Sequence, residues 1–184
     1  VLGYLLIALS IVMLFPLIID LSVGNNTWKS FIISAIITFG FGFTFLISTR
    51  NEENKKILMQ DAFLITSISW LSISIFGAFP FYFSENGLDI TNSIFESMSG
   101  ITTTGSSVIQ NVEALTEGML MWRGLLQWIG GIGIIVMAVS ILPVLRVGGM
   151  QVFRAESSDT TEKILPRTTQ IASAVILIYL TLTL

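Results

Sequence analysis

The sequence predicts an all-α membrane protein in which transmembrane helices are interrupted by one re-entrant helix and loop. Composition is the first reason. Of 184 residues, 53% are hydrophobic and only 11% charged, where a soluble domain carries about 25% charged residues. Mean hydropathy is +0.83. Segment length is the second reason, because several apolar runs approach the roughly 20 residues that cross a hydrocarbon core. The third is an apolar piece at Thr91–Ser99, too short to cross and placed between two spans.

The elements follow in order. Leu2–Ile19 is the first span; it lacks a charged n-region and a small-residue cleavage site, so it reads as a helix and not a signal peptide. The chain starts at Val1, so further N-terminal residues are expected before it. Residues 20–27, with Gly24-Asn25-Asn26, form a polar turn, and Ser30–Ser48 is the second span. These make an N-terminal transmembrane pair at residues 1–49, followed by a charged loop at 50–56. The third span runs from Ile57 or Met59 to Phe83, with Gly77 and Pro80 set to bend its end. A polar loop at Ser84–Ile90 leads to the short helix, a Thr-Gly run and a second polar stretch at Ser106–Gly118. Met119–Leu145 is the fourth span, which closes a helix–loop–helix unit at 57–145. A mixed polar connection follows at 146–167. The start of another unit, at 168–184, is cut inside its helix, since Ile171–Leu184 offers only about 14 apolar residues.

Basic residues set the expected orientation. Arg50, Lys55, Lys56, Arg146, Arg154, Lys163 and Arg167 fall on one side, and only Lys29 and Arg123 on the other. The richer side is cytoplasmic, so the N-terminus is expected inside. Thr91–Ser99 must then enter and leave on the outer side. The net charge of −3 and the lack of a basic stripe argue against a nucleic-acid partner; membrane lipid is the expected surrounding. With no cysteine and no histidine in the chain, disulfides, thiolate metal sites, a Ser-His-Asp triad and histidine acid–base catalysis are excluded within it. No cofactor and no enzymatic activity are expected.

The Thr-Gly run carries the chemistry. Polar backbone at membrane depth is tolerated only where it is buried in protein or lines a cavity. One reason to place it there is to replace an ion's hydration shell with backbone carbonyls. Thr102, Thr103 and Thr104 offer successive carbonyls, and Gly105 permits a positive φ. The short helix is then a pore helix and the run a filter loop, which points to a cation pore, with potassium the fitting ion. The plainer alternative is an exposed Ser/Thr/Gly loop between two helices.

Other residues carry two readings each. Glu96 could add negative potential near the ion path, but Ser93-x-x-Glu96 also has capping-box spacing, and the spacing favours the cap. Arg123 is either an interfacial snorkel or an ion-pair partner that holds the loop. Asp61 suits a first helical turn and receives no ion-binding role. Gly130-Gly131-x-Gly133 lacks the strand and lysine of a phosphate loop, so it reads as a close-packing surface. Trp122 and Trp128 read as interface anchors or packing.

Four blocks then carry a family resemblance. Phe95-Glu96-Ser97-Met98-Ser99-Gly100-Ile101-Thr102-Thr103-Thr104-Gly105 resembles the first pore loop of the Trk/Ktr/HKT potassium transporter superfamily. Trp122-Arg123-Gly124-Leu125-Leu126-Gln127-Trp128-Ile129-Gly130-Gly131-Ile132-Gly133 is similar to the following helix of its TrkH-like members. Leu142-Pro143 with Val147-Gly148-Gly149-Met150-Gln151-Val152-Phe153-Arg154-Ala155-Glu156 resembles that helix's exit, and Gly77-Ala78-Phe79-Pro80-Phe81 the end of the preceding helix. The resemblance runs from about residue 57 to 170, and the two early spans fit the extra helix pair of the Trk-type branch. It implies potassium uptake across the inner membrane through four helix–pore–helix units in one chain, of which this chain holds one complete unit. It also implies a homodimer and a cytosolic nucleotide-binding regulatory subunit of the RCK type, TrkA-like. By position, Thr103 and Thr104 are the implied K⁺ ligands, flanked by Thr102, Ile101 and Gly105, with Glu96 and Arg123 as filter support. Alternatives from other classes are a secondary transporter that couples H⁺ or Na⁺ through an intramembrane carboxylate, Glu96 or Asp61, and a non-conducting membrane subunit.

Overall fold

The computed structural model describes residues 1–49, 59–85, 87–145 and 164–183. The charged loop 50–56 and most of the 146–167 connection lie outside the described residues, as do their basic side chains up to Lys163. The described chain divides into two compact units, residues 1–128 and 129–184.

The first unit opens with α1 (Leu2–Val12) and α2 (Leu14–Val23), which together form one apolar stretch long enough to cross a membrane. Pro16 explains the break between them. It has no N–H for the carbonyl four residues earlier, Val12, and its ring crowds that carbonyl. The next bond, Leu17 N–H to the Met13 carbonyl, is stretched to 3.4 Å. The helix nevertheless continues to Val23 and ends at Gly24 with φ 86°. Asp20, expected in the turn, is therefore helical; its side chain finds partners that outweigh its preference for a turn, as described below.

α3 (Trp28–Ser48) returns against α1. In a membrane the lipid is as apolar as the side chains, so helices associate through close backbone approach and polar contacts. Gly3 and Gly42 supply the approach: a Cβ on Gly3 would lie 2.8 Å from the Gly42 carbonyl oxygen. The lipid-type face is apolar, with Tyr4 70% and Ile36 65% exposed, while Ser10, Ser30, Ser34 and Thr38 are buried.

α4 (Met59–Gly77) and α5 (Phe79–Phe83) are the expected third span with the expected bend. Pro80 sits in the first turn of α5, where a missing N–H costs least. The short helix is α6 (Ile90–Ile101), at both ends slightly longer than the expected Thr91–Ser99. At about 1.5 Å per residue, its 12 residues reach about 18 Å, well short of the roughly 30 Å core. A 3₁₀ turn at Val112–Ala114 precedes α7 (Glu117–Leu145). The unit's core joins Leu9, Met13, Phe31, Ala35, Phe81, Met119, Trp122 and Leu126. Phe31 and Trp122 meet edge to face at 6.3 Å.

The second unit holds the end of α7 and α8 (Ile164–Thr183). α8 starts four residues inside the expected 146–167 connection, with Pro166 in its first turn, where proline is tolerated. A Cβ on Gly131 would lie 2.5 Å from the Tyr179 hydroxyl, so this glycine packs closely, as the sequence reading expects of the Gly-Gly-x-Gly stretch. Among the described residues, three helical stretches meet the length and composition of a membrane span: Leu2–Val23, Trp28–Ser48 and Phe63–Phe83.

Candidate functional site

The site is built on the C-terminal end of α6. The chain leaves this helix through a Schellman-type turn. Thr104 N–H bonds the Ser99 carbonyl at 3.0 Å, and Thr103 N–H the Gly100 carbonyl at 2.9 Å. That turn requires a left-handed residue after the cap, normally glycine. Here the residue is Thr103, with φ 57°, and a β-branched residue there is strained. Gly105 takes the next left-handed position, φ 77°, with nothing within 4 Å of where a Cβ would stand. Its glycine is thus demanded by backbone conformation and not by space.

The amides of the turn are used inwardly. Among the described residues, the carbonyls of Thr102, Thr103, Thr104 and Gly105 accept no hydrogen bond. The hydroxyls of Thr102 and Thr104 meet at 2.8 Å, and Thr102 Oγ1 also donates to the Met98 carbonyl. Ser99 Oγ donates to the Ser106 carbonyl at 2.6 Å, which closes the loop against the helix. Thr103, Thr104 and Gly105 are exposed. Ile101 differs from them: it is the last residue of α6 and 1% exposed.

Glu96 does not form the capping box. The helix starts after Asp89, which puts Ser93 a full turn inside, where its hydroxyl donates to the Leu88 carbonyl. The Glu96 carboxylate, 3% exposed as a residue, instead faces the loop that returns from the Thr-Gly run. Its Oε1 accepts Ser107 Oγ at 2.6 Å and Val108 N–H at 2.7 Å. Its Oε2 accepts Arg123 Nη1 from the second turn of α7. Arg123 therefore makes the ion pair and is not a free snorkel. Glu96, Ser99, Gly100, Gly105, Ser106, Arg123 and Gln127 line one cleft behind the turn. Asp61 is exposed in the first turn of α4, far along the chain from this cleft.

Two contributors escape sequence reading. Trp122 is fully buried, and its indole N–H donates to the Gly77 carbonyl at 3.0 Å, a carbonyl at the α4–α5 break. Asp20 is also fully buried and binds the start of α7, where Gly118 N–H reaches Oδ1 at 2.9 Å. Only the polar character of Asp20 inside an apolar run could have flagged it.

The sequence profile of the TrkH family, described as a cation transport protein, matches residues 27–184. The chain belongs to the TrkH family. This is a family of cation transport proteins and not of enzymes, and the chain is a membrane protein. The Trk system potassium uptake protein TrkI of Halomonas elongata is 40% identical over 185 residues, covering all of this chain and 37% of that protein. TrkH of Escherichia coli strain K12 is 37% identical over 186 residues, covering all of this chain and 38% of that protein. The crystal structure of the potassium transporter TrkH from Vibrio parahaemolyticus superposes with a TM-score of 0.81 at 34% identity, covering 98% of this chain and 36% of that one. The chain thus spans a little over a third of the length of the TrkH relatives it matches.

Proposed function

We propose that this chain is the N-terminal part of a potassium uptake protein of the cytoplasmic membrane and supplies one of four filter loops. K⁺ passes down its electrochemical gradient, coordinated by the carbonyls of Thr103 and Thr104, with Thr102, Ile101 and Gly105 flanking. The observation that carries this reading is the turn at Thr103–Gly105. It uses its N–H groups inwardly and, among the described residues, leaves the four successive carbonyls from Thr102 to Gly105 unbonded, directly after a helix too short to cross. Carbonyls that replace hydration water are what a dehydrated K⁺ requires. The names of the relatives, potassium uptake proteins, support the choice of ion.

Glu96 and Arg123 support the filter and are not ligands. The Glu96 carboxylate is occupied by Arg123, Ser107 and Val108, which leaves it poorly placed to carry a coupled proton. The four loops would belong to one chain, two such chains would form a homodimer, and an RCK-type, TrkA-like cytosolic subunit would regulate it. Residues 1–49 then serve as the N-terminal helix pair and 57–145 as the first pore unit. The N-terminus would lie in the cytoplasm.

The test is Gly105→Val in the full-length protein. Among the described residues nothing lies within 4 Å of where the new Cβ would stand, so within this chain the substitution acts through φ. We expect the Rb⁺/Na⁺ flux ratio in proteoliposomes to fall at unchanged protein content. An unchanged ratio would remove Gly105, and with it this turn, from the filter.

A further inference from the structure

We propose that Asp20 is a positioning residue for the filter loop, which makes the N-terminal helix pair a brace for selectivity; this rests on the filter reading above. Asp20 stands in α2, 98 residues from its partner Gly118. Its carboxylate is fully buried and accepts four bonds. Oδ1 takes Gly118 N–H at 2.9 Å and Asn25 Nδ2 at 3.2 Å. Oδ2 takes Thr27 Oγ1 at 2.5 Å and Thr116 Oγ1 at 3.4 Å. The first N–H groups of a helix lack internal partners, and α7 has Asp20 as the acceptor from another helix.

An independent observation marks the same contact. A Cβ on Gly118 would lie 2.4 Å from the Asp20 carboxyl carbon and Oδ2. The carboxylate is therefore seated against bare backbone, and α7 has no room to shift toward it. The seat is continuous with the filter support. Arg123, five residues on from Gly118 and so about 7.5 Å along the helix, reaches Glu96 and Ser107. Trp122 reaches the Gly77 carbonyl. A displaced start of α7 would carry Arg123 with it and loosen Glu96 from the returning loop at Ser107 and Val108. A positioning shift of this kind is felt in ion choice, because a filter discriminates by its coordination geometry.

The experiment compares Rb⁺ and Na⁺ fluxes through the full-length protein in proteoliposomes at matched protein content. Asp20→Ala and Gly118→Ala are both expected to lower the Rb⁺/Na⁺ ratio, roughly two- to thirtyfold, the span of couplings carried by packed networks. Asp20→Asn, which keeps an acceptor for Gly118 N–H, recovers most of the ratio. Thr27→Val, which removes one donor, gives an intermediate value and decides the matter if the first two do not fold. Ratios equal to the parent protein's in every folded variant would make Asp20 a stability residue only and overturn the proposal. A parent protein that does not distinguish Rb⁺ from Na⁺ would instead refute the filter reading itself.

Discussion

Thr103 is the residue where local preference and observed conformation disagree most openly, with φ 57° on a β-branched residue. A left-handed β-branched residue is costly, about 1–2 kcal/mol by the steric argument for L-residues, and glycine is the ordinary solution at that position of a Schellman turn. Thr103→Gly is expected to stabilise the turn by about 1 kcal/mol and raise the thermal midpoint of the purified protein. A lowered midpoint would mean that the threonine side chain contributes more than it strains. Glu96 offers the opposite case. Its side chain is 1% exposed and its partner Arg123 15%. Glu96→Ala removes the acceptor of Ser107 and Val108 in the returning loop and the ion-pair partner of Arg123, and is expected to cost about 3–5 kcal/mol, the range for breaking a buried pair. Denaturation of the reconstituted protein would read the loss, and a cost below 1 kcal/mol would contradict the buried geometry. Glu117, exposed and ahead of the membrane-depth part of α7, has its carboxyl held below the ordinary value of 4.5, first by its own backbone N–H and then by the Asn25 amide. A depressed folded value gives stability that is present above the unfolded value and lost as pH falls through the folded one. Acidification from above 4.5 down through the lower folded value therefore weakens the tie between Asn25 and α7, and Glu117→Gln removes that part of the acid sensitivity. Acid unfolding profiles that coincide would contradict it.

At the scale of elements, most helices were legible because apolar length alone specifies them in a membrane. Their ends were less so. The first helix was expected to stop at Ile19 because Asp20 is a turn-favouring residue, yet it runs to Val23 since its carboxylate is satisfied by Thr27, Asn25 and Gly118. The bend at Gly77–Pro80 was legible from the proline, but the answer to its open carbonyl was not. Trp122 lies 45 residues away, and no local pattern encodes that pairing. The same holds for Glu96, where a local capping motif competed with a distant arginine and lost. Trp122→Phe keeps the ring packing against Phe31 and leaves the Gly77 carbonyl without its donor. It is expected to destabilise by about 1–3 kcal/mol, read by thermal unfolding. A neutral substitution would show that the bend satisfies this carbonyl by other means.

At the scale of the whole molecule, the order of long helix, short helix, loop and long helix was legible from segment lengths. The family match covers residues 27–184 and agrees with the resemblance read from the Thr-Gly run. What the sequence could not convey is how the N-terminal helix pair is joined to α5 and α7, because both the apolar contacts, such as Phe31 on Trp122, and the single polar ones, such as Asp20 on Gly118, link residues far apart in the chain. Orientation is open to a clean test, since the chain has no cysteine. Asn26→Cys and Asn111→Cys are expected to react with an impermeant thiol reagent from outside intact cells, and Thr49→Cys only after permeabilisation; the reverse pattern would invert the topology. The central claim, that Thr103 and Thr104 offer carbonyls to a permeating ion, is tested most directly by anomalous scattering from crystals of the full-length protein grown in Rb⁺. The account predicts an anomalous peak within coordination distance of both carbonyls. A pore occupied elsewhere by Rb⁺, with no peak beside Thr103 and Thr104, would contradict it.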